Sequence, residues 1–212
     1  MTHLRAIPPS VPALGAAALL AAAFAAGCSM FEPRTPEDPA EGGSYWQYPS
    51  APSIVMNNLD GSMEARSITL YMTAFDESFA FLADPADTAE FPSLEFGSWD
   101  FYAEQNTLSN MFASVQGSGA PEESLIAVTF MPIEGYPDPP APVDSAEIWR
   151  SYFIQIAGSE YGSWSNPCIG KACITMIEDE SSMWSISVWE DYRPDDYVPG
   201  IYTWGVVKAP YR

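Results

Sequence analysis

Histidine, cysteine and carboxylate positions limit the chemistry open to this 212-residue chain. The single histidine is His3, so a chain that loses its N-terminus keeps none. That excludes Ser-His-Asp and Cys-His catalysis and His-ligated zinc or haem from the mature protein. Cys168 and Cys173 stand in N-P-C-I-G-K-A-C, separated by four residues that include Gly170, which suggests a turn. Outside the cytoplasm that spacing predicts a structural disulfide, worth about 2 kcal/mol in the chain-entropy view. The spacing is not the C-x-x-C of a redox or zinc pair, and no cofactor is expected.

The 28 Asp+Glu outnumber the 8 Lys+Arg, giving a formal net charge of −20. A surface of that sign repels a phosphate backbone, so no nucleic acid is expected as a partner. Paired carboxylates about 5 to 9.5 Å apart in a cleft could hydrolyse glycosides. Asp100 and Glu104, one helical turn apart, and the Glu178-Asp179-Glu180 run are such pairs, but they read as a polar helix face and a solvated turn. Asp191, Asp195 and Asp196 in E-D-Y-R-P-D-D-Y could offer calcium ligands from one loop, without EF-hand spacing.

An address precedes this chemistry. Val11 to Gly27 is an Ala/Leu-rich run ending in Ala25-Ala26-Gly27-Cys28. At about 1.5 Å per residue it falls short of a ~30 Å hydrocarbon core. It resembles the signal peptide of a bacterial lipoprotein, which implies cleavage after Gly27, lipidation of Cys28 and a place in the cell envelope, exported and held by lipid. Every acid lies after Cys28, so the mature body is the acidic part. Residues 28–52 form a Pro-rich tether in which Tyr45, Trp46 and Tyr48 are expected to dock on the domain that follows, residues 53–212.

Elements that would position side chains follow from periodicity. Ile54 to Phe75 fits two short helices broken near Arg66-Ser67, and Ser78 to Ala83 fits a strand stopped by Asp84-Pro85. Trp99 to Val115 carries Phe101, Leu108, Met111, Phe112 and Val115 on one helical stripe. Period two then takes over: strands at Ser124–Met131 and Ile148–Ala157, a hairpin of Ala172–Ile177 with Met183–Glu190, and a last strand at Ile201–Lys208. Helices first and strands afterwards make an α+β domain; reading the two early helices as strands would make an all-β sandwich instead.

This element order, with S-F-A-F-L-A-D-P and the S-S-M-W-S-I-S-V-W-E-D-Y strand, resembles the superfamily of nuclear transport factor 2, ketosteroid isomerases and polyketide cyclases. The resemblance implies a cone: a curved antiparallel sheet on three N-terminal helices, with a pocket that Tyr71, Tyr102, Tyr152 and Trp189 would line. In the isomerases an Asp base works beside a Tyr oxyanion donor, and no Asp here matches that motif position by position. The expectation is therefore a lipid-anchored envelope protein with a non-catalytic binding or assembly role, toward a protein partner or a small apolar ligand. Its partners would be the membrane, through the lipid, and an envelope protein complex. The alternatives are a metal-free isomerase, cyclase or dehydratase, and a glycan-binding module using Tyr161 and Trp164. A carboxylate beside a Tyr in an open pocket would favour the enzyme; a pocket filled by Trp or Phe would remove it.

Overall fold

Pro52 sits in the first turn of α1 (Pro52–Glu64), where its missing N–H is no loss, and Val55, Met56, Leu59 and Met63 are buried along one face. The helix stops because Arg66 turns left-handed (φ 54°), letting Ser67 N–H reach Ser62 O at 2.9 Å and Arg66 N–H reach Met63 O at 3.0 Å. Ser67 then caps α2 (Ile68–Met72) with its hydroxyl, so the break at Arg66-Ser67 is both a stop and a start. These coordinates come from a computed structural model that describes residues 46–116, 126–139, 144–156 and 168–212. Tyr45, Cys28, Tyr161 and Trp164 lie outside the described residues, as do the signal peptide and most of the tether.

Strand β1 (Phe75–Leu82) is followed by α3 (Pro85–Glu90), the two-residue β2 (Trp99–Asp100) and α4 (Phe101–Gln116). Sequence reading missed α3: Asp84 and Pro85, read only as a stop, are also a start, since the Asp84 carboxylate caps Ala86 N–H at 2.7 Å. Strands β3 (Ile126–Pro132), β4 (Ser145–Ile156), β5 (Cys168–Glu178) and β6 (Trp184–Tyr192) complete one six-stranded sheet in the order β2-β1-β6-β5-β4-β3. The sheet is curved and unclosed, and the helices pack on it. It is mixed rather than antiparallel, because β1 runs parallel to β6. Register shifts in the β1/β6 and β5/β6 pairs mark irregularities that bend such sheets.

The last expected strand is a helix, α5 (Trp204–Lys208), followed by a short 3-10 turn, Ala209–Tyr211. The expected disulfide is absent. Cys168 and Cys173 are free and buried on the one strand β5, where five residues at about 3.3 Å each place them some 16 Å apart on opposite faces, beyond a disulfide's reach. Gly170 makes no turn. It is a strand residue beneath Tyr152, and a Cβ there would stand 2.1 Å from the Tyr152 hydroxyl oxygen.

The segment before α1 is bonded to the domain, as was expected of Trp46 and Tyr48. The buried Asn58 side chain accepts from Gln47 N–H at 2.7 Å and donates to Gln47 O at 2.6 Å, while Trp184 N–H donates to Pro49 O at 2.8 Å. Trp46 Nε1 donates to Thr73 Oγ1 and the Tyr48 hydroxyl to Ser181 O.

Candidate functional site

The inner face of the sheet is set by alternation. Tyr152 of β4, Cys168 and Ala172 of β5, and Trp189 and Asp191 of β6 all point inward and are buried. The C-terminal segment enters beside them, with α5 packed on β5 and α4; Trp204, Val206 and Val207 are buried and Lys208 is 1% exposed. Val206 and Val207 are β-branched and favour strand locally, yet the segment turns helical because partners distant in sequence hold its first peptide groups. Asp191 Oδ2 accepts Gly205 N–H at 2.7 Å, and the Tyr152 hydroxyl oxygen accepts Trp204 N–H at 2.8 Å. Gly205 fits closely there: a Cβ would stand 3.1 Å from the Phe81 ring and 3.3 Å from Asp191 Oδ2, so those side chains would have to shift by a few tenths of an ångström.

Around the end of α5 lies a charged cluster inside the core. Glu104, on the buried stripe of α4, accepts from the Tyr71 hydroxyl at 2.7 Å through Oε1, and from Trp99 Nε1 at 2.7 Å and Lys208 Nζ at 2.6 Å through Oε2. The Lys208 ammonium also sits 3.6 Å from the Phe81 ring centroid and 4.7 Å from that of Trp99. Burial lowers the Lys208 pKa, with Glu104 opposing; burial and the neighbouring Glu104 raise that of Tyr71 well above its ordinary value.

A second carboxylate stands across the interior. Asp191 accepts from the Tyr152 hydroxyl at 2.5 Å, and burial pushes its carboxyl up to about 7 against the pull of Tyr152, the Gly205 N–H and Lys208. A third, Asp87 of α3, accepts from the Thr203 hydroxyl and from Arg193 Nε, both at 2.6 Å, and so pins the entry to α5. These carboxylates hold the C-terminal segment. The oxygens that an isomerase would turn toward substrate are bonded to Trp204, Gly205 and Lys208.

Of the pocket candidates, Tyr71, Tyr152 and Trp189 are buried inside, whereas Tyr102 is 70% exposed on α4, away from them. The calcium set separates as well. Asp191 is internal with both oxygens engaged, while Asp195 is at the surface, paired with Lys171 at 2.6 Å, and Asp196 is exposed. Glu178-Asp179-Glu180 closes the β5–β6 hairpin, where Asp179 accepts from Ser181 and Met183 N–H. The sequence set Glu104 with Asp100 on a polar helix face and singled out neither Lys208 nor Trp204; Asp100 is indeed exposed, accepting Ala103 N–H at 2.9 Å, but Glu104 is buried. The signal was present: Glu104, Leu108, Met111 and Val115 follow helical spacing on one stripe, and Lys208 interrupts an apolar run.

Open surfaces lie elsewhere among the described residues. An apolar cleft of about 480 Å³ lies at the β1/β2 edge, lined by Leu82, Phe96 and Trp99 among others. On the outer face of the sheet, Met131, Phe153 and Ile169 share one side of β3–β4–β5. Beside them the Trp149 ring lies between those of Tyr136 (4.9 Å) and Tyr192 (5.6 Å).

No protein-family model matches the sequence, and no curated protein matches it. Several solved structures resemble the fold. A nuclear transport factor 2-like protein of unknown function from Shewanella oneidensis MR-1 is 10% identical, with a TM-score of 0.42 over 65% of this chain and 92% of that one. A candidate scytalone dehydratase from Novosphingobium aromaticivorans is 11% identical, with a TM-score of 0.48 over 72% and 90%. A cystatin-like-fold protein of unknown function from Nostoc punctiforme is 8% identical, with a TM-score of 0.43 over 69% and 90%. Each likeness is one of fold, at identities that carry no activity to this chain.

Proposed function

We propose that this chain is a lipid-anchored envelope protein whose folded domain binds or assembles with a partner through its outer surface and performs no chemistry in its interior. The observation behind this reading is the filled interior: Trp204 and Lys208 occupy the space in front of Tyr152, Asp191 and Glu104. The apolar group Met131, Phe153 and Ile169 on the outer face is the surface we assign to the partner. The anchor rests on Ala25-Ala26-Gly27-Cys28.

Tyr152 beside Asp191 is the one observation favouring a metal-free isomerase, cyclase or dehydratase. In that role the pair would have to face substrate, and the backbone N–H groups of Trp204 and Gly205 take its free positions.

Co-purification from detergent-solubilised envelopes tests the reading, with native protein and a Cys28→Ser variant side by side. The native chain should fractionate with membranes and bring down a protein partner in stoichiometric amount, and Phe153→Asp should abolish that recovery. Cys28→Ser should leave the membrane fraction. Membrane retention of Cys28→Ser would overturn the lipid anchor, and a stoichiometric small molecule extracted from the folded domain would overturn the closed interior.

A further inference from the structure

Cross-strand register lines up Leu82, Glu190, Cys173 and Trp149 in one row on the outer face of the sheet, from β1 to β4 across β6 and β5. Glu147 stands one row to one side, opposite Thr175, and Phe153, opposite Ile169, two rows to the other. Aromatic donors set both carboxylates: Trp149 Nε1 donates to Glu147 at 3.0 Å and the Tyr192 hydroxyl to Glu190 at 2.6 Å. Among the described residues neither carboxylate has an ion pair. Cys173 between them feels that charge: burial first, then Glu147 and Glu190, push its thiol up to about 12. Leu82, Met131 and Phe153 are exposed on the same face, so apolar surface lies beside uncompensated negative charge.

Such a face is complementary to a segment that carries positive charge beside an apolar side chain. A second copy of this chain does not supply one. Arg150 is held by Asp138, Lys171 by Asp195, Arg193 by Asp87 and Glu90, and Lys208 by Glu104. Arg66 bonds to Glu64 O, and Arg212 to the carbonyls of Glu95, Gly97 and Ser98. Stacking two such faces would also set like charges against each other, and an anionic lipid surface is repelled for the same reason. Arginine fits better than lysine. Its flat guanidinium can extend the Tyr136–Trp149–Tyr192 stack, and its N–H donors lie on more than one edge, matching carboxylates presented from β4 and from β6.

We propose that the outer face of the sheet docks a protein segment whose arginine seats between Glu147 and Glu190 against the Trp149 and Tyr192 rings, with an apolar side chain on Phe153 and Met131. The assignment rests on the outer face being the surface that meets the partner. Trp149 and Phe153 are separated by about 13 Å along β4, so in an extended segment the arginine and its apolar companion stand four residues apart as well.

The probe is acetyl-Phe-Ser-Ser-Ser-Arg-Ser-Ser-Ser-Phe-amide, symmetric about its arginine so that either chain direction fits, titrated into the wild-type protein. The readout is the Trp149 indole N–H resonance, assigned with Trp149→Phe, because that group bonds to Glu147. Expected is a saturable shift that weakens in about 0.5 M NaCl, is smaller in affinity when lysine replaces the arginine and is absent when glutamate does. Glu147→Gln with Glu190→Gln keeps acceptor oxygens for Trp149 and Tyr192 and should raise the Kd about fivefold or more. Glu64→Gln with Glu180→Gln makes the same change in net charge at exposed sites elsewhere and should leave the Kd within about twofold. Equal effects of the two pairs mean general attraction to an acidic chain, and that result, or no saturable shift, or equal affinity for the lysine peptide, overturns the proposal. In the envelope co-purification, partner recovery lost with Phe153→Asp but kept with Glu147→Gln and Glu190→Gln would overturn the arginine seat and leave the outer-face reading standing; recovery kept by both variants would remove that reading itself. A wild-type dimer that Phe153→Asp dissociates in sedimentation would give the face to a second copy and overturn the proposal too.

Discussion

Tyr152 and Asp191, 39 residues apart on the two strands that flank β5, share a 2.5 Å hydrogen bond across Gly170 while the other Asp191 oxygen holds the first turn of α5. Burial pushes the Asp191 carboxyl up to about 7, whereas an unfolded Asp titrates near about 3.9. An acid raised in the folded state binds its proton there while the unfolded chain has lost it. Its contribution is therefore fully present below about pH 4 and declines as pH rises to about 7, by up to about 1.4 kcal/mol per pH unit. Urea melts across this range should show that decline, and Asp191→Asn should flatten it. A difference between variant and wild type that does not change with pH would count against the assignment.

The Glu104–Lys208 pair should be asymmetric under mutation. Glu104→Gln leaves a buried ammonium without its counter-charge and should lower the unfolding free energy by about 3 to 5 kcal/mol. Glu104→Gln combined with Lys208→Met removes both charges and should regain much of that loss. Denaturant midpoints of the three proteins measure it, and a double variant no better than the single one would contradict the coupling.

Alkylation of the denatured, unreduced protein should label both Cys168 and Cys173. In the native protein both should label slowly. Burial raises the Cys168 thiol well above its ordinary range and pushes Cys173 up to about 12, so little thiolate forms. Mass spectrometry showing neither site labelled after denaturation would mean that they are bridged, and that β5 does not run straight through Gly170.

Ser182 closes the β5–β6 hairpin with φ 57°, a conformation that disfavours branched side chains. Stability should rank Gly at or above Ser, and Ser above Val, with Ser182→Val lower by about 1 kcal/mol or more. Thermal melts that place Val level with Ser would argue against this turn.

Local signals carried much of the fold, and their failures share a cause. The helix break at Arg66-Ser67 was legible because Ser67 is a capping residue, and the period-two runs of β3, β4 and β6 because each has one buried face. Residues 201–208 read as a strand from their Ile and Val content. Their helix depends on Asp191 and Tyr152, 14 and 52 residues away, which no short window contains. Gly170 suggested a turn because glycine does so in isolation, whereas here it makes room for the Tyr152 ring. Glu104 was placed on a polar face by its chemical type, although its spacing put it on the buried stripe where Lys208 neutralises it. The parallel pairing of β1 with β6 depends on which strand lies beside which, and periodicity is silent on that.

The clasp of Asn58 on Gln47 has a mechanical consequence. A pull on the chain from its N-terminal side does not arrive at the first turn of α1 alone. It loads the two Asn58 bonds, and through Pro49 O it loads the Trp184 N–H at the start of β6, so tension is divided between a helix interior and a central strand. Residues 47–49 thus act as a strain relief, and Asn58→Ala would lower the force at which α1 begins to unwind before it altered anything inside the sheet.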